Sequence, residues 1–545
     1  MPAIVDIETN GLKDTATDIH CIVAKCPKTN TIKEWIGEDC KSFGEWSKGI
    51  DTFIMHNGLS FDAPLLNKFT GSDIKPNQIR DTLLESQLFN PLREEGHGLA
   101  AWGRRLNFAK HDIDSFDTYT PEMLNYCRQD VNLTHKVMTI LDKEKVKFST
   151  NSIDLEKAIR ILLDEQEANG FTLDLPKATT LKASLEDEAD KLAEEATNMF
   201  PPTEVQLKTK VKYIPFNIGS RKQIAERLME KGWEPDLKTD KGNIIVNEEV
   251  LQNIDMPEAK MFSRYLLLQK RVSQIKSWIE LCGDDNKVHG KVMTLKTITG
   301  RMAHNSPNMA QVPAIYSPYG KECRECWTVS DTKNYTLVGT DASGLELRCL
   351  AHYMNDANFT NELLNGDIHT ANMNMAGLTD RDQAKTFIYA FLYGAGAAKI
   401  GKVVGGNAKQ GQTLINRFLS NIPALKTLRN KVQDAAKAGV IRGLDGRLFR
   451  IRSPHSALNT LIQGAGAIVC KQWLINMTSM IRSTGVDAKL VASIHDEYQF
   501  EVKNSDVIQF GQITKDAIKE TEKDLKLNCQ LDSEWKSGLT WAETH

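Results

Sequence analysis

Near the amino end, short runs rich in β-formers are set off by turn residues. Ala3 to Glu8, His20 to Cys26, Thr31 to Ile36 and Thr52 to His56 each read as a strand, with helices between them up to about residue 145. This stretch predicts an α/β sheet. The period then changes: Leu181, Leu185, Ala189, Leu192 and Ala196 recur every three or four residues, which predicts a long amphipathic helix. Ser220 with Gln223 reads as a capping box, and Gly232 as the stop of the helix it opens. Leu266 to Trp278 predicts an apolar helix that carries Lys270, Arg271 and Lys276. Strand signals return at Tyr335 to Asp341 and at Leu490 to Phe500; the second run alternates on both sides of a tight bend at His495-Asp496 and so predicts a hairpin.

The chemistry lies where these elements end. Asp341 closes one strand and Asp496, 155 positions later, occupies the hairpin bend. Three adjacent strands can place two such carboxylates side by side at a sheet edge. Like charges held that close are tolerable when divalent cations neutralise them, and hard oxygen ligands suit Mg²⁺. Such a pair fits two-metal phosphoryl transfer, with ions roughly 3.5–4 Å apart on the attacking and leaving oxygens. Between the aspartates, Arg381, Lys385, Tyr389 and Tyr393 follow one another in steps of four on a predicted helix that Gly394 and Gly396 would stop. Two cations followed by two aromatics on one stripe suit a triphosphate and then a base or sugar.

A second acidic set stands at the amino end. Asp6 and Glu8 are two apart on a strand and so share a face. Asp62 follows His56-Asn57-Gly58, and Tyr126 and Asp130 are four apart on a predicted helix, again on one face. Four convergent carboxylates would hold two Mg²⁺ ions, and the tyrosine could orient an attacking water.

Bulk properties narrow the setting. At 545 residues, 41% hydrophobic and 26% charged, the chain predicts at least two ordinary globular domains. No apolar run approaches 18 residues and no signal segment follows Met1, so a cytosolic protein without a membrane partner is expected. The ten cysteines are scattered, and Cys323/Cys326 form a single C-x-x-C, which argues for reduced thiols over a disulfide framework or structural zinc. The net charge of −3 conceals an uneven distribution: Lys385 to Arg442 holds ten Lys and Arg against the single acid Asp434. A local field of that sign can bind phosphates in a salt-dependent way.

The block Asp341-Ala342-Ser343-Gly344-Leu345-Glu346-Leu347-Arg348-Cys349-Leu350-Ala351-His352, the Arg381–Gly394 helix and the Asp496 hairpin resemble motifs A, B and C of the family A, DNA polymerase I-like, DNA polymerases. The first block is most similar to replicative polymerases of short-tailed, T-odd bacteriophages. Thr299-Gly300-Arg301, Ser317 to Gly320, Asn365 to Thr370, Asn459 to Gln463 and Trp541 to His545 share the resemblance, which runs essentially end to end. The amino-terminal acids resemble the tyrosine-bearing branch of the DEDD proofreading 3′–5′ exonucleases. Arg80-Asp81-Thr82-Leu83 resembles a further segment of that family, to which no role attaches at this stage.

The resemblance implies an RNase H-like exonuclease domain over residues 1–148 and a right-hand polymerase domain over 149–545. Within the latter, the thumb would span about 149–289, the palm about 290–355 and 440–545, and the fingers about 356–439. It implies a template-directed, DNA-dependent DNA polymerase that replicates phage DNA in the host cytoplasm, with two Mg²⁺ per active site and Mn²⁺ as a substitute. Asp341, Asp496 and the Ala342 carbonyl would bind the polymerase metals, and Asp6, Glu8, Asp62 and Asp130 the exonuclease metals, with Tyr126 orienting water. Arg381, Lys385 and His369 would bind phosphate oxygens of the dNTP. Tyr389 would stack under the nucleotide, Tyr393 would shape the template-base pocket, and Glu346 would crowd a ribose 2′-hydroxyl. Arg301 and Gln463 would check the minor-groove edge of primer-template DNA, while Lys270 and Arg271 would grip its backbone. Glu497 is expected near the metals.

One departure matters. The phage enzymes carry a long thumb insertion that recruits thioredoxin, whereas Pro201 to Asn217 is brief here, so thioredoxin is not an expected partner; Lys208, Lys210 and Lys212 alternate along it. A helicase-primase and a single-stranded DNA-binding protein remain candidate partners. A 5′-nuclease of the kind cellular relatives carry is not expected ahead of Met1. Three rival readings are a single-subunit RNA polymerase, an exonuclease alone and a decayed DNA-binding scaffold. Glu346 and the exonuclease acids oppose the first, the length of the chain the second, and the full set of six metal-type carboxylates the third.

Overall fold

A computed structural model of the chain describes residues 1–108, 113, 115–206, 211–239 and 241–544. Lys208 and Lys210 lie outside the described residues, as does His545. Two compact units emerge, one built from residues 1–169, 291–305 and 339–535, the other from 170–290, 306–338 and 536–545.

Among the described residues, the first unit contains a five-stranded sheet, most of a four-stranded one and two small two-stranded sheets. The amino-terminal one has five strands in the order Ile32–Ile36, Ile19–Lys25, Pro2–Thr9, Thr52–Met55 and Ile79–Asp81. The first three pair antiparallel and the last two run parallel to Pro2–Thr9. Pro2–Thr9 is therefore central and covered on both faces, which explains its nearly continuous burial. On one face the helix Pro121–Lys145 packs Cys127 and Val131 against Ile4, Cys21 and Val23. Thr120 caps that helix by accepting from the Met123 amide, and Pro121 opens it.

The second sheet has the order Ala488–Ile494, Glu497–Lys503, Tyr335–Ala342 and Ser533–Gly538. Its hairpin pairs Ile494 with Glu497 across the two-residue turn His495-Asp496, where His495 takes a left-handed φ of 57°. The long helix Ala457–Thr484 underlies the sheet: Tyr498 donates to the Cys470 carbonyl at 2.9 Å, and Trp473 to that of Thr514 at 2.9 Å. Further into the core, Glu156 accepts Lys471 at 2.7 and 2.8 Å and ion-pairs with Arg447 at 2.7 Å, all three essentially inaccessible to solvent. Removing one partner of such a set strands buried charge. Glu156→Ala is expected to cost about 3–5 kcal/mol of stability, measurable as a lowered denaturation midpoint; an unchanged midpoint would contradict it.

The second unit centres on the helices Leu175–Met199 and Pro257–Leu281, which pack along one another. A cluster including Phe200, Phe216, Ile224, Leu228 and Phe262 fills one end. At the other, Trp327 meets Phe171 and Trp278 with ring centroids 5.2 and 5.4 Å away. The capping box expected at Ser220 is half made: Ser220 accepts from the Gln223 amide, but the Gln223 side chain accepts from Asn217 instead of returning to Ser220. Within Pro201 to Asn217, Thr203–Gln206 pairs antiparallel with Val211–Ile214, and Lys212 is exposed.

Candidate active sites

The amino-terminal carboxylates meet at the central strand. Oxygens of Asp6 and Glu8 and the Cys127 sulfur all lie within 4.8 Å of one another. The Cys127 thiol donates to the Asp6 carbonyl at 3.3 Å and ties helix to strand. Burial, followed by the charges of Asp130, Glu8 and Asp62, pushes the Asp6 carboxyl well above its usual range. Asp62 opens the helix Asp62–Thr70 and is only 4% exposed; burial and then Asp81 raise it to about 8. Asp130 is buried, and Tyr126 lies half-buried one turn earlier, edge-on to Phe116 at 6.1 Å. Asp6 and Asp62, both raised by burial and by neighbouring carboxylates, stand with Glu8 and Asp130 as a donor set that suits hard divalent cations.

Asp81, left without a role by the sequence, organises this set. Its oxygens accept from the amides of Asn57 and Leu59, and from Leu83 and Leu84 at the start of the helix Thr82–Phe89. It thereby pins the loop that delivers Asp62. The signal was an N-cap aspartate before an apolar helical run.

In the second sheet, the Ala342 amide donates to the Asp496 carbonyl at 3.2 Å, joining the strand end that bears Asp341 to the hairpin turn. Asp341 itself is open to solvent, yet its charge is penalised by the protein crowded around the cleft and then by Asp496, Glu497, Glu534 and Glu346, which push it up to about 8. Asp496 rises to about 6, through burial first and Glu346 next. Glu497 is buried and accepts from the Gln499 side chain at 2.6 Å. Glu534, on the neighbouring strand, is an acid that sequence reasoning passed over. The donor set again fits divalent cations.

Beside these acids, Arg301 Nη2 donates to Glu346 Oε1 at 3.0 Å and the Tyr393 hydroxyl donates to the same oxygen at 3.2 Å. Arg301, Glu346, Cys470, Lys471, His495 and Asp496 line about 450 Å³ of open space. Gln463 is partly exposed on the Ala457–Thr484 helix.

The helix Arg381–Leu392 is capped by Asp380 and stopped by Gly394, whose φ is 77°. Lys385 is exposed on it, Tyr389 half-buried and Tyr393 45% exposed, with the two tyrosine rings 6.2 Å apart. His369 faces Tyr389 at 6.3 Å; burial and the nearby Arg381 and Lys385 lower its proton affinity. Asp367 was not anticipated. It caps the helix Ile368–Ala376 by accepting from His369 and Thr370, and it grips Arg381 through a fork of 2.8 and 3.1 Å. Arg381 therefore stands ready at the helix start with its plane already set.

In the other unit, the two candidate DNA-gripping residues part ways. Lys270 is exposed, but Arg271 is 6% exposed and donates to Gln274 at 3.0 Å and to the Pro318 carbonyl at 3.5 Å. This corrects the expectation of an outward phosphate contact for Arg271: an arginine on the apolar face of a helix turns inward once a carbonyl is within reach.

A family model described as DNA polymerase family A matches residues 180–543. The chain is 30% identical to a DNA-directed DNA polymerase of Escherichia phage T7 over 99% of this chain and 100% of that protein, and equally so to one of Enterobacteria phage T3. These alignments span 705 positions, well above the 545 residues here, so this chain is gapped against both. A solved structure, the POL domain of Pol1 from M. smegmatis in complex with DNA primer-template and dNTP, matches with a TM-score of 0.82 at 19% identity, covering 99% of this chain and 96% of that one.

Proposed function

Because the chain belongs to DNA polymerase family A, we propose that it is a replicative, template-directed polymerase with its own 3′–5′ proofreading exonuclease. The observation that carries this reading is the presence of two separate carboxylate clusters in one chain, one at Asp6, Glu8, Asp62 and Asp130, the other at Asp341 and Asp496. Divalent cations, Mg²⁺ or Mn²⁺, held by these residues and by the Ala342 carbonyl, would supply charge neutralisation for attacking and leaving oxygens. The proposed domains are an exonuclease over 1–148 and thumb, palm and fingers over 149–545. The proposed setting is the cytoplasm of a phage-infected host; no helix among the described residues is long and apolar enough to cross a membrane.

Each side chain has a task in this reading. Arg381, pre-aimed by Asp367, binds phosphate oxygens of the incoming dNTP together with Lys385 and His369. Tyr389 packs under the nucleotide and Tyr393 borders the template base. Arg301 and Gln463 touch the minor-groove edge of primer-template DNA, and Lys270 meets its backbone. At the other site Tyr126 orients the attacking water, and Asp81 keeps Asp62 in place. A primer with a labelled, mismatched 3′ nucleotide tests the combination: the label should leave as a monophosphate before extension begins. Extension that retains the label would contradict it.

Glu346, held by Arg301 and Tyr393, is the proposed barrier to a 2′-hydroxyl. Glu346→Ala is expected to raise ribonucleotide use relative to deoxyribonucleotide use by roughly ten- to a hundredfold, the range for one desolvated polar contact. An unchanged ratio in single-turnover incorporation would remove Glu346 from that role. The brief stretch from Pro201 to Asn217 leaves no long insertion for thioredoxin, so added thioredoxin should not lengthen products per binding event. Thioredoxin-dependent lengthening under single-hit conditions would refute this. Helicase-primase and single-stranded DNA-binding protein are proposed as further partners.

A further inference from the structure

Four buried charged side chains, of which Lys471 borders the cleft, take no part in the chemistry above. Glu156, Arg447 and Lys471 are 0%, 2% and 1% exposed, and Asp445 is 9% exposed. Arg447 forks onto Asp445, with Nε 2.9 Å and Nη2 2.6 Å from Oδ2, and its Nη1 lies 2.7 Å from Glu156. Lys471 donates to both Glu156 oxygens and also to the Thr294 carbonyl at 2.9 Å. Two cations and two anions balance, as burial demands.

Two contacts leave this set in the direction of the cleft. Lys471 anchors the start of the segment Thr294–Arg301 through the Thr294 carbonyl. Arg447 sits against its end: a Cβ placed on Gly300, whose φ is 71°, would come within 3.0 Å of Arg447 Nη1. Only a glycine gives that approach without strain. Between the anchors, the Gly300 amide donates to the Thr297 carbonyl at 3.0 Å and the Arg301 amide to Thr297 Oγ1 at 2.9 Å. The next link is Arg301 to Glu346.

We propose that Arg447 and Lys471 are positioning residues for Arg301, which set through it the selectivity of the cleft for the sugar of the incoming nucleotide. The proposal rests on the reading of Arg301 and Glu346 given above. A neutral, buried ionic set held by the Arg447–Asp445 fork and the Lys471–Glu156 hydrogen bonds cannot shift by small steps without breaking a charged contact, so it makes a stiff anchor for a seven-bond span of loop. Stiffness matters because a displacement of about 1 Å in a positioning group can cost about a hundredfold in rate.

The test uses two changes. The double variant Glu156→Gln/Lys471→Met removes one anion and one cation together and leaves the Arg447–Asp445 fork. Arg447→Lys keeps the charge and loses the fork. The kcat/KM ratio for ribonucleoside against deoxyribonucleoside triphosphates is measured for each, with and without Arg301→Ala, with single-strand digestion as the control for folding. Each variant should relax the ratio by about tenfold alone and add nothing in the Arg301→Ala background, the signature of residues acting through one network. An unchanged ratio, or a change that persists undiminished beside Arg301→Ala, would overturn the proposal. Loss of digestion in both variants would overturn it too, because the set would then hold the unit together instead of aiming Arg301. If Arg301→Ala alone left the ratio unaltered, the reading of Arg301 itself would fall, an outcome distinct from the others.

Discussion

Asp496→Asn should lower primer extension by about a thousandfold or more, the scale of losing several kcal/mol of charge stabilisation in the transition state. The amide keeps the shape of the hairpin turn, including the main-chain bond from Ala342 to the Asp496 carbonyl. What it removes is the negative charge. After burial, Asp496, Glu497, Glu534 and Glu346 push Asp341 up, and Glu346 and Glu497 push Asp496 up, so these two aspartates are held against electrostatic repulsion when no cation is present. The substitution should therefore leave the fold intact and, without divalent cations, leave the melting temperature level or raised. A loss of extension accompanied by a fall in melting temperature would point to a structural role for Asp496 instead.

The parent protein should accept dideoxynucleotides readily, and Tyr389→Phe should make it reject them. The Tyr389 ring lies between His369 and Tyr393, and its hydroxyl feels the negative charges of Glu346 and Asp496 after the effect of burial, which keeps its proton on. In the proposed complex that protonated phenol can stand in for a missing 3′-hydroxyl within the triphosphate network. Phenylalanine leaves those groups short of one hydrogen bond to a charged partner, worth about 1.5–3 kcal/mol, or roughly ten- to a hundredfold in rate. Comparing kcat/KM for deoxy and dideoxy substrates in both proteins checks this. Equal ratios before and after substitution would assign Tyr389 to packing alone.

The elements that carry chemistry were legible because their signals are local. Short β-rich runs bounded by turn residues located four of the five amino-terminal strands, alternation located the Asp496 hairpin, and steps of four located the Arg381 helix. Asp81 and Asp367 were readable as N-caps, but their second roles, gripping the Asn57–Leu59 loop and Arg381, depend on partners 14 to 24 positions away. The Glu156–Lys471 pair joins residues 315 apart, and no local pattern announces it. Arg271 misled for the opposite reason: helical spacing assigns a cation to the surface unless the fold brings an acceptor to it, and here the Pro318 carbonyl does so. The compact units also cut across the expected domain bounds, since 306–338 and 536–545 group with 170–290 through contacts such as Trp327 to Phe171 and Trp278, which sequence distance hides.

The central claim is that one chain holds two independent phosphoryl-transfer sites. Asp62→Ala and Asp496→Asn, assayed side by side for single-strand 3′–5′ digestion and for primer extension, test it most directly. The account predicts a crossed result: Asp62→Ala loses digestion and keeps extension, while Asp496→Asn loses extension and keeps digestion. Loss of both activities in either folded variant, or digestion that survives Asp62→Ala, would contradict it.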